Sequence, residues 1–277
     1  AFTPHMPNLN TANPEVEAYL LKVADYWISE FDIDAWRLDV ADEVDHTFWK
    51  KFRTTCDAAK DDFYILGEVW HSAQPWLVGD EFSAVMNYAY TDAIKDGLIT
   101  KKISLEQMVS NINTQLTLYR KQVNQMMFNV LDSHDTPRIL TVAKNNKNLM
   151  KLVETFTFMQ PGVPCIYYGD EYAVTGGMDP ECRKVMPWEE KDQDLEMFEF
   201  FKNLIALRKQ YQGILSDSEV EWKIVDSENG IVKFERGSLK AIFNIGEKPA
   251  YFSADEVVFS NLVDQNNILQ YGFVIYK

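Results

Sequence analysis

Five short apolar runs, at 31–40, 63–69, 82–87, 125–132 and 162–168, constrain this chain more than any other feature, because helical stretches are interleaved with them. Asn13-Pro14-Glu15 opens the first helix, since Asn is a favoured N-cap, Pro suits the first helical position and Glu belongs in the first turn. It should run to about Glu30. The first strand then ends at Asp39, and further helices are expected near 44–59, 103–122, 144–159 and 192–211. Strands alternating with helices indicate βαβ units and a parallel sheet. After about residue 213 the pattern changes to short alternating segments, such as 230–235 and 239–244, broken by Gly, Pro, Asn and Asp. That change predicts an α/β domain over 1–212 and a small antiparallel β domain over 213–277.

Composition excludes several classes of function. A hydrophobic content of 46% with 25% charged residues suits a soluble globular protein with a substantial core. A net charge of −15 disfavours nucleic acid and anionic membrane surfaces, both of which call for basic patches. No run approaches the length of a membrane span, and the first residues lack the layout of a signal peptide. Cys56, Cys165 and Cys182 cannot all pair, and none lies in a zinc-binding spacing. They read as reduced thiols, which points to a cytoplasmic setting. Asp57, Asp61 and Asp62 read as a solvated face, so neither metal nor cofactor is expected.

In parallel α/β folds the strand-to-helix loops open on one face, and functional side chains gather there. Asp39, Glu68 and the His134-Asp135 pair each follow a different strand. One acid after a strand is usually a helix cap, but three beside charged or ring partners form a set. Cleaving a glycosidic bond with retention needs a nucleophilic carboxylate and a protonated acid about 5–5.5 Å apart. Arg37 and Asp39 stand two apart on one strand and point the same way, so the guanidinium should keep Asp39 ionised as the nucleophile. Glu68, between Leu66 and Trp70, should sit in apolar surroundings that hold its proton for the leaving oxygen. Asp135 would complement positive charge on the sugar ring, and His134 would donate to a hydroxyl. Trp70 has the best position of the tryptophans for stacking on a sugar, ahead of Trp76 and Trp188. His71 is read as a structural hydrogen-bonder and left out of the site, and His5 and His46 as surface residues.

These residues carry a resemblance. Ala35-Trp36-Arg37-Leu38-Asp39-Val40-Ala41, Leu66-Gly67-Glu68-Val69-Trp70-His71 and Leu131-Asp132-Ser133-His134-Asp135-Thr136 resemble three motifs of the α-amylase family, glycoside hydrolase family 13. The segments Met6-Pro7-Asn8-Leu9-Asn10 and Glu43-Val44-Asp45-His46 are similar to its neopullulanase, cyclomaltodextrinase and maltogenic amylase branch. Residues 162–171 resemble the family's eighth-strand motif. The resemblance implies that Asp179 and Arg183 hold a sugar further from the cut. It implies the last five βα units of a (β/α)8 barrel followed by a β-sandwich-like domain. The expected substrates are cyclomaltodextrins, pullulan or maltooligosaccharides, cleaved with retention.

The departures are equally specific. Three barrel strands, a motif whose His contacts the sugar, and an N-terminal dimerisation domain are missing from the pattern. The chain therefore reads as a piece of a longer enzyme, its open sheet edge covered by the missing N-terminal half or by a second copy. Position 42 is Asp where this branch usually has Asn. A rival reading is a non-catalytic amylase-like module that binds sugar or another subunit, against which the retention of all three acids argues.

Overall fold

The computed structural model describes residues 5–277. Two compact units divide them, one formed by the residues up to Ala89 with Leu118–Phe128, the other by Tyr90–Thr117 with Asn129–Lys277.

In the first unit, helix Pro14–Phe31 begins where its caps dictate: the Asn13 side chain accepts from the backbone N–H groups of Glu15 and Val16. It ends one residue later than expected, because Asp32 turns left-handed at φ 53° and returns its N–H to the Ile28 carbonyl. Strand β1 is therefore only Ala35–Leu38. A 3-10 turn, Ala41–Glu43, leads to helix His46–Ala59, capped by the Asp45 side chain on Thr47 N–H. Strand β2 is Tyr64–Gly67 and β3 only Ala84–Val85. The three pair in the order β1-β2-β3, and both pairings are parallel. Met86 then makes a parallel bridge to Phe128. The expected helix over 103–122 is interrupted: one helix, Leu105–Leu118, belongs to the second unit but for its last residue, and a separate helix, Lys121–Met126, follows an extended Arg120 in the first. A helix over Tyr88–Ile94, running on into a wider π turn at Lys95–Ile99, was not expected; from Tyr90 onward it belongs to the second unit.

In the second unit, strands β4 (Phe128–Val130) and β5 (Val163–Cys165) pair. Helix Lys147–Phe158 is buried on every face from Leu149 onward, its polar residues Lys151, Glu154, Thr155 and Thr157 included. It packs against β5, helix Leu195–Gln210 and the C-terminal sheet. That sheet comprises β6 (Glu221–Asp226), β7 (Ile231–Arg236), β8 (Leu239–Asn244), β9 (Ala250–Tyr251), β10 (Val257–Asp264) and β11 (Asn267–Tyr276). Its order is β10-β11-β8-β7-β6 with β9 on β11, and every pairing is antiparallel, as the sequence pattern predicts. Phe156 of the buried helix meets Phe234 and Phe243 edge-on, at 5.5 and 5.2 Å between ring centres. Sheet and helix thus share one core.

Among the described residues, no helix is long and apolar enough to cross a membrane.

Candidate active site

The parallel register Leu38↔Gly67 places Asp39 and Glu68 side by side, each one residue past the end of its strand. Backbone bonds fix the two exits together: Glu68 N–H donates to Leu38 O at 2.9 Å, and Ala41 N–H donates to Glu68 O at 3.1 Å. Between them Val40 is left-handed at φ 45°, a costly conformation for a β-branched residue. It aims the Val40 N–H at the Glu68 carboxylate, Oε2, at 3.0 Å.

Arg37 spans both acids. One guanidinium nitrogen pairs with Asp39 Oδ1, the contact that the i, i+2 spacing anticipates. Its other nitrogen donates to Glu68 Oε1 at 2.9 Å. The apolar setting expected for Glu68 is thus corrected: its side chain is 4% exposed, but its carboxylate faces a guanidinium and a backbone donor. Asp39 is 67% exposed, so the two carboxylates differ sharply in access to solvent.

Trp70 is half exposed and lies flat on the buried Tyr88, with ring centres 3.8 Å apart and planes 6° from parallel. Trp76 is buried instead, stacked on His46 at 5.0 Å. Trp188 is exposed. Sequence reasoning missed Tyr88, and it passed over His71, whose Nε2 lies 3.0 Å from Asp42 Oδ2. The Asp at position 42 was the available signal for that pair. His46, read as a surface residue, is half exposed and bonds through Nδ1 to the buried Glu81 at 2.9 Å.

The second unit holds the other predicted residues in one cluster. His134 Nε2 donates to Asp135 Oδ2 at 3.0 Å, and Arg183 donates to Asp135 Oδ1 at 2.9 Å. The same guanidinium reaches Asp179 through its Nε, also at 2.9 Å. Arg138, fully buried, secures the surrounding loops: it donates to Cys182 O, Tyr168 O and Asp170 Oδ1 at 3.0, 2.7 and 3.3 Å. Its guanidinium lies 4.4 Å from the ring centre of Tyr167. Below it the Asp132 and Asp170 carboxyls share a hydrogen bond, and burial pushes Asp132 up from the ordinary carboxylate range and Asp170 well above it.

The family model described as alpha amylase, catalytic domain, matches residues 1–217. The chain belongs to the alpha-amylase family. Within that family it is 48% identical over 271 residues to an intracellular maltogenic amylase of Bacillus subtilis, covering 96% of this chain and 45% of that protein. It is 53% identical over 228 residues to a cyclomaltodextrinase of Geobacillus thermopakistaniensis strain MAS1, covering 82% of this chain and 39% of that protein. A solved cyclomaltodextrinase superposes with a TM-score of 0.89 at 37% identity, over 100% of this chain and 51% of that one. The chain thus spans about half the length, or less, of these alpha-amylase family relatives. Its parallel strands and antiparallel C-terminal sheet are those of the family's fold, and the relatives are named as glycosidases.

Proposed function

We propose that the protein is the catalytic part of a retaining glycoside hydrolase acting on α-glucosidic bonds of cyclomaltodextrins, pullulan or maltooligosaccharides. The observation that carries this reading is the single Arg37 guanidinium held between Asp39 and Glu68. That both carboxylates bond one guanidinium supports a close pair, as a retaining mechanism needs, with carboxyl groups about 5–5.5 Å apart. Names of the relatives support the substrate class.

In the proposed cycle Asp39, the more exposed acid, attacks the anomeric carbon while Glu68 gives its proton to the departing oxygen. A covalent glycosyl-enzyme forms, and Glu68 then takes a proton from the attacking water. Glu68 is held for this role by Arg37 at Oε1 and by the Val40 N–H at Oε2. Asp135 stabilises the positive ring in the transition state, positioned by His134 and Arg183. Arg37, His134, Asp179, Arg183 and Trp70 bind substrate, Trp70 by stacking on a pyranose face. The parallel strands are five units of a (β/α)8 barrel over 1–212, with 213–277 as a C-terminal domain. The end of the family match at residue 217 supports that boundary.

Incubation with each glucan, with products followed by chromatography, tests the substrate class. Nuclear magnetic resonance of the first product should show the α-anomer. Glu68→Gln should slow hydrolysis by about 10²–10⁴-fold with glucan binding retained, because it removes a transferable proton at constant shape. Unchanged turnover in that variant would refute the assignment. Glucan binding without turnover by the unaltered protein would favour a non-catalytic module.

A further inference from the structure

The loops that follow Asp39 and Glu68 are joined by a contact whose chemistry depends on residue 42. Asp42 lies in the Ala41–Glu43 turn, three residues past Asp39, and His71 lies three past Glu68 and directly after Trp70. The turn is fixed on both sides, since Ala41 N–H donates to Glu68 O at 3.1 Å and Ala41 O accepts from the Trp49 indole at 2.8 Å. The His71 ring touches two acceptors: Nε2 is 3.0 Å from Asp42 Oδ2, and Nδ1 is 3.0 Å from Ser72 O.

A neutral imidazole carries a single N–H, and neither an ionised carboxylate nor a carbonyl can donate. Both contacts together therefore require a hydrogen on each ring nitrogen. Asn at position 42 would present an amide N–H to Nε2 and so accommodate the neutral ring. We propose that Asp42 makes the tie between these two loops, and with it the placement of Trp70, conditional on the protonated form of His71.

The far end of the same loop is held independently. Trp76 lies between the two histidines, 5.8 Å from the His71 ring and 5.0 Å from that of His46. His46 pairs with Glu81, whose carbonyl accepts from Arg53 Nε at 2.9 Å, and Lys50 pairs with Asp80 at 2.9 Å. Charged and titratable groups around His71 include Asp42 on the facing turn, His46 with Glu81 beyond Trp76, and Tyr119, whose hydroxyl accepts from Ala73 N–H at 3.2 Å. Loss of the His71 proton frees only the near end, which carries Trp70. His71 is 59% exposed and Asp42 21%, so solvent reaches the pair and the tie responds quickly to pH.

The consequence for sugar binding rests on the proposed function, whereas the tie itself does not. The test uses the whole chain, labelled with nitrogen-15, with His71 and Trp70 signals assigned by His71→Gln and Trp70→Phe. From about pH 5.5 to about pH 8.5 the Trp70 indole signal should shift together with loss of the second His71 N–H. In Asp42→Asn it should hold still. Asp42→Ser serves the same comparison if the amide variant misfolds. A Trp70 signal indifferent to pH in the unaltered protein, or an equal response after Asp42 is replaced, would overturn the proposal. Calorimetry with maltotriose forms the second arm. Affinity should weaken about threefold over that range, the size of a solvent-exposed ion pair, and should stay level in Asp42→Asn. Absence of any maltotriose binding would count against the functional reading alone, with the resonance data still deciding the tie.

Discussion

Gly67 has no room for a side chain. A methyl group there would meet the Phe82 ring at 2.6 Å, and the next residue is Glu68. The glycine lets an aromatic ring lie against the strand end that presents the buried carboxylate. Gly67→Ala should push either the ring or the strand, and a displacement near 1 Å in a catalytic group costs about 10²-fold in rate. We expect kcat/KM on a glucan to fall by about that factor with a lower melting temperature; parent-like kinetics would mean that the strand end adjusts freely. Arg37 tests the neighbouring contact. Arg37→Lys keeps the charge, but a single ammonium cannot present two coplanar nitrogens to Asp39 and Glu68 at once. It should lower kcat/KM by about 10²-fold with little effect on melting temperature, and activity within about twofold of the parent would remove Arg37 from the proposed site.

At the scale of elements, what the sequence makes legible depends on how local the cause is. The helix start at Asn13 is legible because a cap is a contact over two or three residues. The C-terminal strands over 231–236 and 239–244 are legible because alternation is local too. The parallel strands come out shorter than their apolar runs, since pairing with a neighbour sets where a ladder ends, and no single run contains its neighbour. The same reason hides the surroundings of Glu68. Arg37 reaches it only through the register of β1 on β2, which the sequence does not display. The end of helix Lys147–Phe158 is a further non-local device. Arg208 donates to the carbonyls of Phe158, Gln160 and Gly162, and Arg236 to those of Met159, Leu215 and Ser218. Burial pulls both guanidinium groups down to about 10, yet their carbonyl partners keep them in place. Arg236→Met would fill the volume and leave the buried Met159 and Leu215 carbonyls, and the part-buried Ser218 carbonyl, without this donor. We expect a loss of about 3 kcal/mol in chemical denaturation, and a change under about 1 kcal/mol would mean that water takes over the bonds.

For the stability of the whole molecule, buried acids matter more than surface charge. Asp132, Glu154 and Asp170 are nearly inaccessible, and burial raises all three, with the Asp132 charge adding to the effect on Glu154 and Asp170. In the folded protein Glu154 and Asp170 keep protons that the unfolded chain releases at the ordinary carboxylate range. Fewer protons are bound in the unfolded state, so stability falls as pH rises above that range and levels off only once the buried groups ionise. Each such group contributes about 1.4 kcal/mol per pH unit while this holds, which is about 3–5 °C in melting temperature for a chain of this size. Melting temperature should therefore decline from mildly acidic toward neutral pH. Glu154→Gln removes one of the retained protons, and its melting curve should fall less steeply with pH by about that increment. If the variant and the parent lose stability in parallel, Glu154 is ionised in the folded protein, and the burial argument for it is wrong.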